Sequence, residues 1–425
     1  MPTNTLITSQ LVTPEILPFV NNQRVFSRNM NHQYDKYYDG SGGANAGPKN
    51  GVRIEVKLPP RFTTRVGNDM VPQGLNDDTF AIVMGEPIGI DLDINNIDWS
   101  LNLSQFRPRY GQPIGAQIAN AIDERFLESA LGAYFSVGTP GTTPGSASGQ
   151  SAAKIWMDAK VALKNIGVPD DGNLHALMTD SAMGATVVGL GTLYNPKNTI
   201  EEQYRKGVIV DAFRLIFNSS QNIPVLTTGN RAGTITVATA SVQGDTTLVV
   251  TGMSGTLNAG EIITLGGTGY PINHVNFQNR NPIPNPATGL FGTAQFVVTE
   301  TVTSAGIGTN TTIKTAPAFI APVAGVKQQG QIVDTLPVVS MQVTPFGSAS
   351  SVYPQNLVYH RDAFAAAFAK LASPPGGECY NATQDGVNMR FWNDSEIRRN
   401  ATLSRIDVLA ACVLALRERV VRVWG

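Results

Sequence analysis

Between residues 230 and 345 the chain changes character, becoming rich in Thr, Val, Gly and Ala and poor in charge. Short strand-like runs recur at 234–238, 247–251, 262–265, 295–301 and 311–315. Turn signals such as Gly244-Asp245 and Asn258-Ala259-Gly260 separate them. Alternation puts every second side chain on one face, and a strand a few residues long can bury that face only by pairing with others. The spacing predicts a small antiparallel β-barrel or sandwich over 230–345, set into a chain that resumes beyond it. Residues 273–289, with Pro282, Pro284 and Pro286, are expected as a long loop on this insertion.

The flanks carry other patterns. At 425 residues the whole chain exceeds what one ordinary core organises, so two or three domains are expected. Residues 1–35 are polar with short apolar islands such as Ile16-Leu17; without a sustained helical period they read as an extended arm. Gly40 to Gly51 is a flexible turn. Val52-Arg53-Ile54-Glu55-Val56-Lys57-Leu58 alternates apolar and charged residues, a strand with one face covered and one charged, and Pro59-Pro60 stops it. A basic return follows through Arg61 and Arg65, so 48–75 reads as a long two-stranded finger with too few apolar residues for a core. Either it is a mobile surface hairpin, or its apolar face rests on something else.

Residues 80–103 show strand periods, and 113–134 switch to helical spacing, with Ile114, Ile118, Ile122 and Phe126 four apart and Pro113 in the first turn. Residues 138–150 form a low-complexity loop, 152–167 a second helix closed by Gly167, and 174–178 a buried strand with Asp180 as the next helix's N-cap. Two short strands are expected within 207–228. Past the insertion, 362–371 reads as an Ala/Phe-rich helix and 389–392 as a strand; 402–416 mixes both signals, and 419–424 closes a sheet. The sum is an α+β chain.

Charge and chemistry narrow the function. Lys plus Arg is 31 and Asp plus Glu 32, a net charge of −1, without the basic excess of a dedicated DNA-binding protein. Charged residues make up 15% of the chain, against about 25% in a typical soluble domain, so much of the surface is expected to lie against other protein. Cys379 and Cys412 are too few for a disulfide framework; one bridge between them is open to the chain, but two reduced thiols are the favoured reading. The first residues lack a signal peptide's charged and apolar regions, and the longest strongly apolar stretch, 408–416, falls far short of the ~20 residues of a membrane span. Synthesis in the cytoplasm and no membrane partner are therefore expected. None of His32, His175, His274 and His360 stands at metal-ligand spacing with another His or Cys. Gly189-Leu190-Gly191 lacks the third glycine of a dinucleotide turn, and His360-Arg361-Asp362 suits a helix start better than a kinase loop. Asp91, Asp93 and Asp98 alternate like a solvated strand face rather than a cation site. The expectation is no catalytic residue, no metal and no cofactor.

Four stretches carry a resemblance by their order and spacing over nearly the whole chain. They are Met84-Gly85-Glu86-Pro87; Asn222-Ile223-Pro224-Val225-Leu226-Thr227 before the insertion; Leu257-Asn258-Ala259-Gly260-Glu261-Ile262-Ile263-Thr264-Leu265 within it; and Leu403-Ser404-Arg405-Ile406-Asp407 near the end. In this the chain resembles the major capsid proteins of tailed bacteriophages, and more narrowly the coat-protein family of Salmonella phage P-twenty-two. That family's chain continues past the point where Gly425 stands here.

The resemblance implies a Hong Kong ninety-seven-like capsid fold. It would have an N-terminal arm (1–35), an E-loop (48–75), a peripheral domain with a spine helix (76–170 and 401–425), an axial domain (171–229 and 346–400) and an inserted β-barrel domain (230–345). It implies a virion protein that assembles into pentamers and hexamers of an icosahedral head around double-stranded DNA. Its partners would be a scaffolding protein, a portal protein at one vertex, a possible cement protein, and packaged DNA touched without sequence reading. On that reading the finger's Val52, Arg53, Ile54, Lys57, Arg61 and Arg65 form a subunit interface. Val52 and Ile54, with Val56 and Leu58, would lie on a neighbouring copy, and the cations would meet its Glu86, Asp91 and Asp93. The rival readings are a bacterial nanocompartment shell, which usually lacks such an insertion, and a β-rich tail or surface protein, which predicts an export signal and tandem repeats.

Overall fold

The computed structural model describes residues 9–35, 53–64, 68, 70, 72–74, 78–95, 110–146, 150–190, 209, 211–266, 272–283, 294–373, 378–396 and 401–425. The expected turn at 40–51, Val52, Arg65, Asp98 and the strand signals near Trp99 lie outside them. The chain forms two compact units, one of residues 1–57, 79–129 and 364–415, the other of 58–78, 130–363 and 416–425.

The first unit is built on a five-stranded antiparallel sheet. Its central strand, Ala401–Leu414, pairs on one side with Val387–Glu396, which in turn pairs with Glu378–Gln384. On the other side it pairs with Ile88–Asn95 and, further along, Phe364–Ala369. Phe364–Ala369 was expected to be helical and is a strand with all six residues buried. Phe364 and Phe368, four apart, satisfy a period of two as well as one of 3.6, and burial on both faces erases the alternation that marks a strand. The mixed signals of 402–416 resolve the same way.

The helix Gln112–Glu128 follows the expected stripe, burying Ile114, Ile118, Ile122, Phe126 and Leu127. The expected extended arm instead contains the helix Ser9–Gln23, with Pro14 and Pro18 inside it. The prolines interrupt the pattern, yet Ile16, Leu17 and Val20 share one buried face. That helix packs closely on the longer one: a Cβ on Gly115 would stand 2.7 Å from the Phe19 Cβ.

The finger's strand is Arg53–Lys57, and its partner is Thr79–Val83, in register Arg53↔Val83 to Lys57↔Thr79. The return strand therefore lies beyond 75, and 58–78 is the connection. Pro59-Pro60 has no N–H to extend the ladder, so pairing resumes only when the chain comes back past it.

The second unit contains a mixed sheet with strands in the order Phe135–Val137, Val420–Trp424, Val352–His360, Leu174–Met178, Leu215–Ser219 and Asp211–Ala212; Val225–Thr227 also pairs with Val352–His360. Helices Gln150–Ile166 and Asp180–Leu190 pack together, with Trp156, Leu163 and Ala182 in the sheet's core. The first ends at Gly167, whose φ of +110° suits only glycine. Thr179, rather than Asp180, caps the second: its Oγ1 accepts the Ala182 N–H at 3.2 Å.

The insertion is a closed six-stranded barrel in the order Thr247–Thr251, Thr311–Ala316, Ala294–Val298, Ile262–Leu265, Gln342–Pro345 and Ile235–Val237. Alternate side chains, including Leu248, Val250, Ile263, Leu265, Phe296, Val298 and Ile313, fill its interior.

The units divide differently from the implied domains. Helix Gln150–Ile166 and strand Val420–Trp424 lie in the second unit because they pack and pair on its sheet, and the strands between 364 and 396 lie in the first because they extend that sheet. Among the described residues, no helix is long and apolar enough to cross a membrane, and no group of three His, Cys, Asp or Glu could hold a metal ion.

Candidate functional site

On the finger's strand the charged face is open and the apolar face is not. Arg53, Glu55 and Lys57 are exposed, and Arg53 Nη2 lies 3.0 Å from Glu55 Oε1 on the same strand. Ile54 and Val56 are half-buried. Val56, with Tyr34 and Phe80, packs on a cluster of Ile82, Met84, Ala365, Ala367, Ala369 and Ala411. The apolar face expected to need a neighbour is thus covered at Val56 by the chain's own sheet, because pairing with 79–83 turns it that way.

The connection is held by polar contacts inside the second unit. Arg61 pairs with Glu418, and its guanidinium lies over the Phe277 ring at 4.0 Å. Gln73 Oε1 accepts the Thr63 N–H at 2.9 Å, and Gln329 Nε2 donates to the Gly74 carbonyl at 3.0 Å. Arg280 Nη2 donates to the Phe62 carbonyl at 3.5 Å and to the Gln329 carbonyl at 2.9 Å. Of the described apolar side chains here, Leu58 is half-buried, while Phe62 is 56% exposed and Met70 81%.

The acids expected to meet the finger lie in the first unit. The Glu86 side chain is exposed, and its carbonyl accepts from Arg125 Nη1 at 2.6 Å. The Asp91 side chain is 81% exposed and approaches Arg405 Nε at 3.8 Å. Asp93 sits opposite Leu403 in the sheet; its side chain lies outside the described residues. Behind Asp91, the fully buried Asp407 accepts from Arg405 Nε at 2.7 Å and Arg390 Nη2 at 2.5 Å. Gly89 makes room for this pair, since a Cβ there would stand 2.5 Å from Asp407 Oδ1. Of these candidates, Arg53, Lys57, Glu86 and Asp91 are exposed, while Arg61 is half-buried in its seat on Glu418 and Phe277.

Three arrangements escaped sequence reasoning. Asp123, inside the long helix, gathers the arm: its Oδ2 accepts the N–H of Val25 at 2.7 Å and of Phe26 at 3.1 Å, and its Oδ1 that of Ser27 at 2.9 Å. An acid beside the apolar stripe, next to Ile122, was the available signal. At the base of the barrel the fully buried Glu261 pairs with Arg231 and accepts the N–H groups of Gly229 at 2.8 Å and Asn258 at 2.7 Å. Burial pushes this carboxyl's pKa up, and those donors pull it back. Arg231 Nη2 also donates to the carbonyls of Phe346 at 3.1 Å and Gly347 at 2.7 Å, tying the segment that enters the barrel to the one that leaves it. Finally, Arg422 Nη1 donates to the carbonyls of Leu131 and Gly260, and burial lowers its pKa to about 9.

Comparison with the curated proteins found no match. Among solved structures, Mycobacterium phage Che8 is similar at TM-score 0.47 and 9% identity, with 94% of this chain and 91% of that chain covered. The capsid of Ralstonia phage GP4 is similar at TM-score 0.42 and 8% identity, covering 96% and 90%. A virus-like particle from Pyrococcus furiosus gives TM-score 0.38 and 6% identity, covering 97% and 98%. With TM-scores below 0.5, nothing that follows rests on them. The family model described as "P22 coat protein - gene protein 5" matches residues 1–421. A match running from the arm through the finger and the barrel to the last strand is to the whole architecture, and the chain belongs to the P22 coat protein family.

Proposed function

We infer that this chain works only as one of many copies: it is a major capsid protein, the shell subunit of a tailed phage. The observation that carries this is the coat-protein family match over residues 1–421. We further propose that the shell is an icosahedral head of pentamers and hexamers around double-stranded DNA, and that scaffolding, portal and cement proteins act on it. The first unit would serve as the peripheral domain with the helix Gln112–Glu128 as its spine, the sheet of the second as the axial domain, and the closed barrel as the inserted domain. The low charge of the chain supports this, since crowded copies repel little.

The finger's exposed face supports an interface role. Arg53 and Lys57 point outward from a strand whose other face is half-buried, with Val56 on the chain's own sheet, and Asp91 offers an acid 81% exposed. Each exposed pair between copies would contribute only about 0–1 kcal/mol, weak enough for a misplaced subunit to leave a growing shell. The test is assembly itself. Purified protein, alone or with a scaffolding partner, is expected to form closed particles under the electron microscope. Arg53→Glu with Lys57→Glu is expected to lower particle yield while leaving the circular dichroism of the monomer unchanged. Protein that stays monomeric under every assembly condition would overturn the reading, and an unaffected yield would remove the finger's charges from it.

A further inference from the structure

The segment 58–74 sits on its own chain in an unusual way. A loop that docks permanently turns its apolar side chains inward and its polar groups to water. Here, among the described side chains, the half-buried Arg61 faces the seat beside Leu58, while Phe62 and Met70 are exposed. The contacts are Arg61 with Glu418, Arg61 over Phe277, and hydrogen bonds from Arg280 and Gln329 to the carbonyls of Phe62 and Gly74. Phe62 and Met70 meanwhile face outward. The seam is also loosely filled. A cavity of about 320 Å³ lies between Leu58–Phe62 and the wall formed by Ile166, Phe277 and Glu418. This cavity opens to solvent, and a partly hydrated ion pair and a few hydrogen bonds to backbone form and break readily. Phe62 and Met70 leave this segment two exposed apolar side chains to offer another surface.

We propose that these contacts are a latch: before assembly the finger is parked on its own subunit through Arg61, Phe277 and Glu418, and it is released when a second copy of the chain takes up Phe62 and Met70. This rests on the shell reading above. Parking would keep the two apolar side chains from joining copies indiscriminately, and would make release a step in adding each subunit.

The test uses full-length protein and changes the seat rather than the finger. Glu418→Gln removes the charge partner at nearly constant shape, and Phe277→Leu removes the ring under Arg61. Both are first checked for wild-type circular dichroism. Two quantities are then read: the rate of tryptic cleavage after Arg61 in the monomer, and the lag before particles scatter light. For either variant the expected result is cleavage about two- to five-fold faster and a shorter lag, with particles of normal form. Unchanged cleavage and lag would overturn the latch. So would faster cleavage with a lengthened lag, which would mean that the contact belongs to the assembled state. Failure of the wild-type chain to form particles at all would instead remove the shell reading beneath the proposal.

Discussion

Asp123 places both carboxylate oxygens on the backbone of residues 25–27, so one side chain fixes where the arm leaves the long helix. Asp123→Ala strands three N–H groups away from water, and leaving buried donors unmade costs about 1–3 kcal/mol each. A loss of roughly 3 kcal/mol or more in urea unfolding is therefore expected, and a smaller loss for Asp123→Asn, which keeps one acceptor oxygen. His274 belongs to the same scale. It lies among Tyr134, Phe135 and Phe296, its Nε2 accepts the Gln295 N–H at 2.9 Å, and burial lowers its pKa from 6.5 to about 4. His175 is lowered to about 4 as well, chiefly by burial, with Arg361 and His360 adding to it. A group that holds its proton less tightly when folded than when unfolded leaves stability intact above pH 6.5. Stability is lost as pH falls from 6.5 towards 4, by up to about 3 kcal/mol for His274. Thermal midpoints measured across that window should fall, and His274→Gln should flatten part of the slope.

At the scale of elements, the neck of the barrel is the most exacting feature. Arg231 and Glu261 are a buried pair tied to four backbone groups, three of them on the incoming and outgoing chain and one, Asn258, in a turn of the barrel domain. Removing one partner of a buried pair typically costs about 3–5 kcal/mol because the other charge stays behind unpaired. Arg231→Met is expected to lose that much in denaturant unfolding. Glu261→Gln is expected to lose less, since Arg231 retains its two carbonyls and an amide oxygen can still accept from Gly229 or Asn258. An equal loss from both would show that charge, rather than the hydrogen bonds, holds the neck. The strand Phe364–Ala369 carries a lesson about legibility at this scale. Its composition favours a helix, but its place between Ala401–Leu414 and the apolar cluster beneath Val56 makes it a strand.

At the scale of the whole molecule, the closed barrel has its own core and its neck pair lies within it. A fragment spanning 229–347 is expected to fold alone, giving a β-type circular dichroism spectrum and a cooperative thermal transition. A fragment without cooperative melting would show that the sheet of the second unit is needed to hold it. By itself the sequence determined what short-range periodicity encodes. Five of the six barrel strands (all but Gln342–Pro345), the helices Gln112–Glu128 and Gln150–Ile166, and the open charged face of Arg53–Lys57 were legible because each buries one face at a fixed spacing along the chain. The order of Met84-Gly85-Glu86-Pro87 and the later stretches pointed to the family for the same reason, being written in consecutive residues. Only the tertiary structure decided the rest. That the finger returns at Thr79–Val83, that Phe364–Ala369 is a strand, that Asp123 holds the arm, and that Glu418 holds Arg61 depend on groups up to 357 residues apart in the chain. A hydrogen bond or ion pair between such groups leaves no period in the sequence; it exists only once the backbone has brought its two halves together.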